Sequence, residues 1–354
     1  MSTTRPFLCR LRQDKGSILL ITFWALSFLS FFALIMGVTA RQKMALADRL
    51  NQRANLRVIA SAGIEKAVSV LKRPDMDQET DSFKEPWTGG FENVNLGGAV
   101  FNVSIVDEER KININTASQQ LLKDFFKAAL DCPDSDAEVM SSSIVDWRDE
   151  DPFSLAQGAE DAYYEGLENP YECKDAKFDV LDELLLVRGI TATIYQDIKD
   201  HVTLYGNGAV NVNTASRVVL LSLGLDEGLA EKIIAFRRGE DALEGTWDDR
   251  YFTGVGSMGA QLTEAGSLEQ KESAQLSNLA ASGSAGVTSW NFFIRSRAGY
   301  EYKKGFVAIG CVFQRIPKEA ELGYDGRLRY WRIEHGVEGE LRSRDYGAER
   351  KAGI

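Results

Sequence analysis

Residues 17–40 read SILLITFWALSFLSFFALIMGVTA, a run of 24 positions without a charged side chain. As an α-helix this run would extend about 36 Å, which is enough to cross the hydrocarbon core of a bilayer. The helical spacing of apolar residues then continues without proline as far as Pro74. We therefore predict a helix over 17–73, with a transmembrane first part (17–40) and an amphipathic second part that packs on a folded domain.

A short basic leader precedes the apolar run. It contains Arg5, Arg10, Arg12 and Lys15 against a single acidic residue, Asp14. A secretory signal peptide is the competing interpretation, but its apolar core spans only about 7–15 residues. The apolar run is longer and directly follows Lys15-Gly16, which favours a leader that is removed while the helix stays.

Acidic residues are concentrated in one part of the chain. The formal net charge is −11, and residues 134–183 hold sixteen Asp or Glu against three Lys or Arg. Such a block repels nucleic acid and attracts cations. None of the four cysteines (Cys9, Cys132, Cys173 and Cys311) forms a CxxC pair, which disfavours a structural zinc site. Cys132 and Cys173 allow a disulfide around the acidic block, and free buried thiols are the alternative.

Segments with alternating apolar and polar residues predict one antiparallel sheet. The first lies at 97–107, and the others come much later, at 289–298, 305–315 and, more weakly, 327–333. The sequence between them is mostly helical in pattern. We predict an α+β fold in which the long N-terminal helix packs on the sheet and an α-helical domain is inserted between its strands.

The predicted boundaries follow from this arrangement. They are a leader (1–16), the helix (17–73), the first part of the sheet domain (74–110), the insert (111–240), a flexible Gly- and Ser-rich return (241–288), the second part of the sheet (289–340) and a tail (341–354). A GxGxxG pattern at Gly254, Gly256 and Gly259 falls in the return. It lacks a strand–turn–helix context, so we interpret it as loop.

A repeated motif lies within the insert. The pattern Asn-x-Asn-Thr-Ala-Ser occurs at 113–118 and again at 211–216, each time before a predicted helix. Thr116 with Gln119 predicts a capping box, whereas Thr214 predicts only a cap. The asparagine side chains are expected to satisfy backbone groups of the turns.

Two helix–turn–helix segments turn at Gly189 and Gly224, where glycine can take the left-handed conformation that ends a helix. They resemble the helix-hairpin-helix motif, which contacts DNA phosphates in some proteins and is a packing unit in others. The acidic surroundings favour packing, so we predict no nucleic acid partner. A membrane-tethered DNA-binding protein of the competence type is the alternative.

The junction Lys15-Gly16-Ser17 and the apolar run resemble the type IV pilin and pseudopilin class. Most of these proteins carry glutamate where this chain has Ile21, and the minor pseudopilin K family characteristically lacks it. Further segments resemble the type II secretion system protein K family in their order along the chain. They are DWRDEDP (146–152), GAED (158–161), YY (163–164), NPY (169–171), residues 181–190 and YWR (330–332).

The resemblance implies a minor pseudopilin with a single pass in the inner membrane and its C-terminal domain in the periplasm. Proteins of this family join minor pseudopilins of the I and J types in a complex that caps the pseudopilus tip. That tip primes a fibre that helps to export folded proteins across the outer membrane. The resemblance also implies that prepilin peptidase cuts after Gly16 and methylates the Ser17 amine.

The resemblance also implies calcium binding in the insert, and the acidic block supplies the oxygen ligands that Ca²⁺ prefers. The ligand candidates are Asp149, Asp151, Glu160 and Asp161, with Asp146 and Asp175 in reserve. A solvated acidic loop is the alternative. A metal-dependent hydrolase is a further hypothesis, but the two histidines, His201 and His335, lie in no HExxH and near no GxSxG pattern. We predict no enzymatic activity.

Overall fold

The computed structural model describes residues 15–73, 80–301, 305–318 and 324–336. Most of the predicted leader and the whole predicted tail (341–354) lie outside the described residues. The chain divides into two compact units, Met1–Asn55 and Leu56–Ile354, and each is described by itself.

The helices are α1 (Lys15–Leu71), α2 (Gln119–Leu130), α3 (Asp134–Arg148), α4 (Asp161–Tyr164), α5 (Ala192–Ile198), α6 (Arg217–Ser222), α7 (Glu227–Arg237), α8 (Met258–Ala265) and α9 (Gln270–Ser282). The strands are β1 (Phe91–Leu96), β2 (Ala99–Asp107), β3 (Ile112–Asn113), β4 (Val202–Thr203), β5 (Val210–Asn211), β6 (Ala285–Gly286), β7 (Asn291–Gly299), β8 (Phe306–Pro317) and β9 (Tyr324–Gly336). Two 3₁₀ helices span Leu181–Leu186 and Val255–Ser257.

The first unit consists of the N-terminal part of α1. Its large apolar side chains between Ile18 and Val38 are 43–74% exposed. A helix in the core of a water-soluble protein would bury such side chains. By length and composition, one helix in the part of the chain that the structure describes can cross a membrane, and this is that helix.

The second unit contains the end of α1 packed on a five-stranded antiparallel sheet of order β1-β2-β7-β8-β9. Ala60, Ile64 and Ala67 recur at helical spacing and form one core with apolar residues of the sheet. Gly63 lets the helix approach closely, because a Cβ at this position would lie 2.2 Å from Ser296 Oγ. The predicted packing of a long helix on an antiparallel sheet is confirmed.

The first predicted strand is one arm of a hairpin. Its start at residue 97 is wrong, because Gly97 and Gly98 form the turn, with φ of +59° and +79°. Strand β1 precedes them and pairs with β2. Its sequence FENVNL buries no side chain fully, so it lacks the alternation that marks a half-buried strand.

The predicted flexible return at 241–288 is also wrong, because it contains α8 and α9. Met258, Leu276 and Leu279 are buried in the core of the insert. Glu269 and Glu272 form a capping box at the start of α9, and Gly283 ends it with φ of +70°. Glycine and serine therefore mark the ends of short helices here rather than a flexible segment. The GxGxxG pattern is likewise not only loop, since Gly259 lies within α8.

The insert is built from two similar halves around one core. In the first half, β3 and β4 pair in parallel, and α2, α3, α4 and α5 lie between them. In the second half, β5 and β6 pair in parallel, and α6, α7, α8 and α9 lie between them. Each half begins with one copy of the repeated motif.

In each motif the side chain of the first asparagine accepts a hydrogen bond from the backbone N–H of the second, as predicted for these turns. The second asparagine binds the backbone of a distant segment, which was not predicted. Asn115 exchanges two hydrogen bonds with the backbone of Phe178, at 3.0 and 2.8 Å. Asn213 exchanges the same pair with the backbone of Phe252, at 3.0 and 2.8 Å. Each motif thus fastens the start of a half to a distant segment.

The predicted capping residues are wrong. Helix α2 is capped by Ser118, whose Oγ accepts a hydrogen bond from Leu121 N at 3.2 Å, and the N-cap of α6 is Ser216. Thr116 and Thr214 lie two residues before these caps, still inside the turn that follows the asparagines. The helices therefore begin later than the threonines suggest.

The disulfide that the sequence allowed between Cys132 and Cys173 is not formed, and both thiols are free. Their Sγ atoms make separate contacts, Cys132 with the carbonyl oxygen of Phe126 at 3.6 Å and Cys173 with that of Asp146 at 3.8 Å. The alternative, free buried thiols, agrees with Cys173, which is buried, whereas Cys132 is free but only partly buried.

Candidate functional site

The acidic loop between α3 and α4 starts from a fixed helix end. The Arg148 guanidinium donates hydrogen bonds to the carbonyl oxygens of Ile114 and Ala117, which ties the last turn of α3 to the first repeated motif. Helix α3 ends at Arg148, since Asp149 is extended, with φ −84° and ψ 167°. The carboxylates at this helix end are therefore positioned by the core of the insert.

Asp146 is a fully buried carboxylate around which the loop closes. Both of its oxygens accept a hydrogen bond from Leu155 N at 3.2 Å. Gly158 lies against it, because a Cβ at this position would be 1.8 Å from Asp146 Oδ2. The Arg188 guanidinium holds the same stretch by donating to Gly158 O at 2.9 Å. A side chain at position 158 would displace the Asp146 carboxylate.

Three atoms that could bind a metal ion lie close together where this loop ends. They belong to Glu160, Cys173 and Asp175 and lie within 4.8 Å of one another. Glu160 and Cys173 are buried, and Asp175 is exposed. Glu160 Oε1 and Asp149 Oδ1 are buried without a hydrogen-bond partner. Buried oxygens without donors are costly, and coordination to a cation is one way to satisfy such an oxygen.

The carboxylates of the loop resist ionisation in the absence of a cation. Burial raises the pKa of Glu160 to about 7, and the charges of Asp146, Asp149 and Asp175 act in the same direction. Burial also raises the pKa of Asp146 to about 6 and that of Asp149 above its usual value, with neighbouring carboxylates adding to both. A divalent cation opposes both causes, so the electrostatics fit a cation site.

Two of the predicted ligands shape the loop instead. Asp151 is exposed, and its Oδ1 accepts a hydrogen bond from Phe153 N at 2.9 Å. Asp161 Oδ1 accepts a hydrogen bond from Cys173 N at 2.7 Å, which brings the cysteine to the site. Neither carboxylate belongs to the group of three ligand atoms.

The structure brings the rest of the predicted set together. Glu160 and the reserve residue Asp175 share the group of three, and Asp146 and Asp149 are close enough to raise the pKa of Glu160. Cys173 is the ligand candidate that sequence reasoning missed. Its position in Glu-Cys-Lys-Asp, between two acidic residues, was the available signal.

Aromatic side chains next to the acidic loop pack against one another. The Trp147 ring packs edge-on against Tyr164, with ring centroids 5.2 Å apart, and stacks on Phe178 at 6.4 Å. Tyr164 in turn stacks on Tyr171 at 5.2 Å. This packing fixes the ends of the loop that carries the carboxylates and keeps the adjoining core dry.

A second buried polar cluster joins the insert to the sheet. Asp107 ends β2 where the chain enters the insert, and burial raises its pKa. Its Oδ2 accepts hydrogen bonds from Thr214 Oγ1, from Asn211 Nδ2 at 3.1 Å and from Ser289 Oγ at 2.7 Å. The second repeated motif therefore binds both chain segments that connect the insert with the sheet, which fixes the orientation of the insert.

The two predicted helix–turn–helix segments are present, and both turn at left-handed glycines. Gly189 has φ of +86° and follows a 3₁₀ helix, whereas Gly224 has φ of +85° and links two α-helices. In the second segment, Asp226 caps α7 by accepting a hydrogen bond from Leu229 N at 3.0 Å. Its other oxygen contacts Lys271 Nζ at 2.8 Å. Asp226 thus places a carboxylate at the N-terminus of α7.

The long apolar helix, the antiparallel sheet and the inserted helices define a pilin-like α+β protein. A chain in the crystal structure of the GspK-GspI-GspJ complex from the enterotoxigenic Escherichia coli type 2 secretion system has a similar fold. The TM-score is 0.59 at 17% sequence identity, over 83% of this chain and 99% of that chain.

Residues 99–207 match the family model described as "Type II secretion system (T2SS), protein K". Type II secretion system protein K of Aeromonas hydrophila is 36% identical over 104 residues, which are 28% of this chain and 31% of that protein. The protein of the same name from Pectobacterium carotovorum subsp. carotovorum is 31% identical over 77 residues, 22% of this chain and 24% of that protein. The matches thus span a third or less of these curated relatives. They confirm the resemblance to type II secretion system protein K.

Proposed function

We propose that this chain is a minor pseudopilin of a type II secretion system. It caps the pseudopilus tip and primes assembly of the fibre that exports folded proteins across the outer membrane. The observation that carries this proposal is the match of residues 99–207, which include strand β2 and the first half of the insert, to protein K. The exposed apolar helix of the first unit supports a single inner-membrane anchor with the folded unit in the periplasm.

Minor pseudopilins of the I and J types are the proposed partners. A chain of similar fold occurs in a GspK-GspI-GspJ complex, which supports this choice. Ile21 also fits a terminal position. A carboxylate in the membrane needs a partner from a neighbouring subunit, whereas an apolar side chain needs none. A subunit with nothing docked beyond it can therefore do without the carboxylate.

We expect prepilin peptidase to produce a mature chain that starts at Ser17 with a methylated amine. Intact-mass and N-terminal peptide mass spectrometry of the protein from a host with prepilin peptidase measures this directly. Replacing Gly16 with leucine should leave the leader attached and abolish co-purification with I- and J-type subunits. The matched control is Gly37→Leu, since a Cβ at Gly37 meets nothing within 4 Å. A protein that starts at Arg41 and purifies as a soluble monomer would overturn the proposal.

The acidic loop is proposed to bind Ca²⁺ through Glu160, Asp149 and Asp175, with Asp146 supporting the loop. The unpartnered buried oxygens of Glu160 and Asp149 support this assignment. Calcium takes six to eight oxygen ligands, so carbonyl groups of the loop and water would complete its coordination. A bound ion would hold the two ends of the loop together, which is a structural role rather than a catalytic one.

Calcium is expected to raise the melting temperature of the full chain in detergent, and EGTA is expected to lower it. At a free concentration of about 100 times Kd, the stabilisation is about 2.7 kcal/mol, which corresponds to roughly 5–10 °C. Glu160→Gln should abolish the shift, whereas Glu165→Gln, at an exposed glutamate, should keep it. Equal melting temperatures in calcium and in EGTA would remove the site from the proposal.

An assembly role requires no catalytic group. Ser216 Oγ lies 3.1 Å from His201 Nδ1, and this contact ties the start of α6 to the segment that follows α5. The DNA-binding alternative predicts retardation of duplex DNA in a gel-shift assay at moderate salt. The Asp226 carboxylate at the second hairpin favours the opposite result.

A further inference from the structure

A thiol lies inside the candidate calcium site. Cys173 is 8% exposed, and its sulfur belongs to the same group of ligand atoms as carboxylate oxygens of Glu160 and Asp175. Calcium binds oxygen and gains little from sulfur, so a calcium-only site has no use for this side chain. Thiolate ligands favour softer ions such as Zn²⁺ and Cd²⁺.

The spacing suits a small divalent ion. Ligand atoms of tetrahedral zinc lie about 2.0–2.3 Å from the metal, so two of them lie roughly 3.3–3.8 Å apart. The three atoms here lie within 4.8 Å of one another without an ion, and a small side-chain adjustment closes that distance. Glu160 is 9% exposed and its Oε1 has no hydrogen-bond partner, so a buried carboxylate oxygen is available to an ion.

The protein backbone holds the sulfur in place. Asp161 Oδ1 accepts the hydrogen bond from Cys173 N at 2.7 Å, and the Cys173 thiol contacts the carbonyl oxygen of Asp146 at 3.8 Å. These contacts come from the two helices that flank the loop carrying Glu160, since Asp146 lies in α3 and Asp161 begins α4. The thiol therefore does not need to be recruited from elsewhere when an ion enters.

We propose that this site also takes a thiophilic divalent cation of the Zn²⁺ class, with Glu160, Cys173 and Asp175 as protein ligands. Binding replaces the thiol proton, which passes to solvent, and the resulting thiolate coordinates the ion. Water completes the coordination at the exposed side, where Asp175 lies. Zinc and calcium then compete, because both require Glu160. The inference rests on the proposed metal site and names a second ion for it.

The other described thiols serve as matched controls. Cys311 lies in the core between α1 and the sheet, and Cys132 contacts the carbonyl oxygen of Phe126. Neither belongs to a group of ligand atoms among the described residues. Cys9 lies in the predicted leader and provides a fourth single variant.

The test is a Cd²⁺ titration of the full chain in detergent, followed by the ultraviolet thiolate-to-cadmium charge-transfer band. The band is expected with a stoichiometry of one in the wild type and in Cys9→Ser, Cys132→Ser and Cys311→Ser. It should be lost in Cys173→Ser. In competition experiments, Zn²⁺ should displace Cd²⁺ from the wild type, and Cys173→Ser should weaken Zn²⁺ binding by about tenfold or more. Its effect on Ca²⁺ affinity should be small.

The outcomes separate this inference from the calcium proposal. If calcium raises the melting temperature but Cd²⁺ gives no band, or the band persists in Cys173→Ser, the inference is wrong and the calcium proposal stands. If neither ion binds, both are wrong. A band that disappears in Cys173→Ser and is weakened in Glu160→Gln supports a shared site.

Discussion

Replacing Arg315 with leucine is expected to lower the free energy of unfolding by about 3–5 kcal/mol, because it leaves a buried charge without its partner. Arg315 and Asp81 form an ion pair whose side chains are 0% and 1% exposed. The same guanidinium donates to the carbonyl oxygen of Ser289 and lies 4.7 and 4.4 Å from the ring centroids of Phe292 and Tyr324. Leucine fills the space between the rings but supplies no donor.

Denaturant unfolding of the full chain in detergent, followed by tryptophan fluorescence, measures this loss. The matched control is Arg327→Leu, since Arg327 is exposed on β9, and it should change stability by less than about 0.5 kcal/mol. The double variant Asp81→Asn/Arg315→Leu should recover part of the loss because it removes the unpaired charge. If Arg315→Leu proves as stable as Arg327→Leu, the ion pair between Arg315 and Asp81 does not stabilise the folded protein.

The loss should also depend on pH. Burial raises the pKa of Asp81 to about 6 in the folded protein, although the Arg315 charge lowers it. The pKa of Asp81 is therefore higher in the folded state than in the unfolded state. The free energy of unfolding then falls as the pH rises from the unfolded-state pKa through the folded-state pKa. Without Arg315 the folded pKa of Asp81 rises further, so the destabilised range extends above pH 6. Arg315→Leu should therefore be more harmful at pH 8 than at pH 5.

The order of long helix, sheet and insert could be predicted from the sequence because the hydrophobic patterns that indicate these elements are periodic and strong. An uncharged run of 24 residues predicts a membrane helix, and alternating strands on both sides of a helical stretch predict a sheet with an insert. Strand β1 was missed because an exposed edge strand needs no alternation. Helices α8 and α9 were missed because their glycines and serines resemble those of loops, while their burial comes from packing with each other and with other elements of the second half.

From the sequence, the acidic loop could be identified as a candidate cation site, but the residues that converge there could not. The acidic block supplies oxygen ligands of the type that Ca²⁺ prefers, but the inference of calcium came from the resemblance to protein K and not from the density of carboxylates. Which of them converge depends on the loop. Asp161 and Asp151 bind backbone amides, whereas Glu160 is left with a buried oxygen that has no partner. Cys173 enters the site only because the chain folds back onto α4.

The repeat of the Asn-x-Asn-Thr-Ala-Ser motif was visible in the sequence, but the arginines that complete it were not. Arg148 donates to the carbonyl oxygens of Ile114 and Ala117, and Arg237 donates to those of Val212 and Ala215. Each carbonyl pair occupies the same two places in its motif. The arginines follow their motifs at different distances along the chain, because the helices between them differ in length. A sequence comparison of the two halves therefore does not align them.

Replacing Arg237 with methionine is expected to lower the free energy of unfolding by about 2–4 kcal/mol, since two buried carbonyl groups lose their donor. Arg237 is 3% exposed and donates to Val212 O at 2.8 Å and Ala215 O at 2.9 Å. Methionine keeps most of the apolar stem, so the loss reports the hydrogen bonds rather than packing. Denaturant unfolding of the full chain in detergent provides the measurement.

Two further variants complete the comparison. Arg238→Met changes the adjacent residue, whose side chain is 43% exposed, and should cost less than about 0.5 kcal/mol. Arg148→Met removes the equivalent donor of the first half. It should destabilise the protein less than Arg237→Met, because Arg148 is only partly buried, but it should also weaken calcium binding by releasing the end of α3 beside Asp149. Equal stabilities of Arg237→Met and Arg238→Met would show that the arginine does not hold the motif. If Arg148→Met loses stability but keeps its calcium affinity, the calcium site does not depend on the hydrogen bonds that Arg148 donates to the first motif.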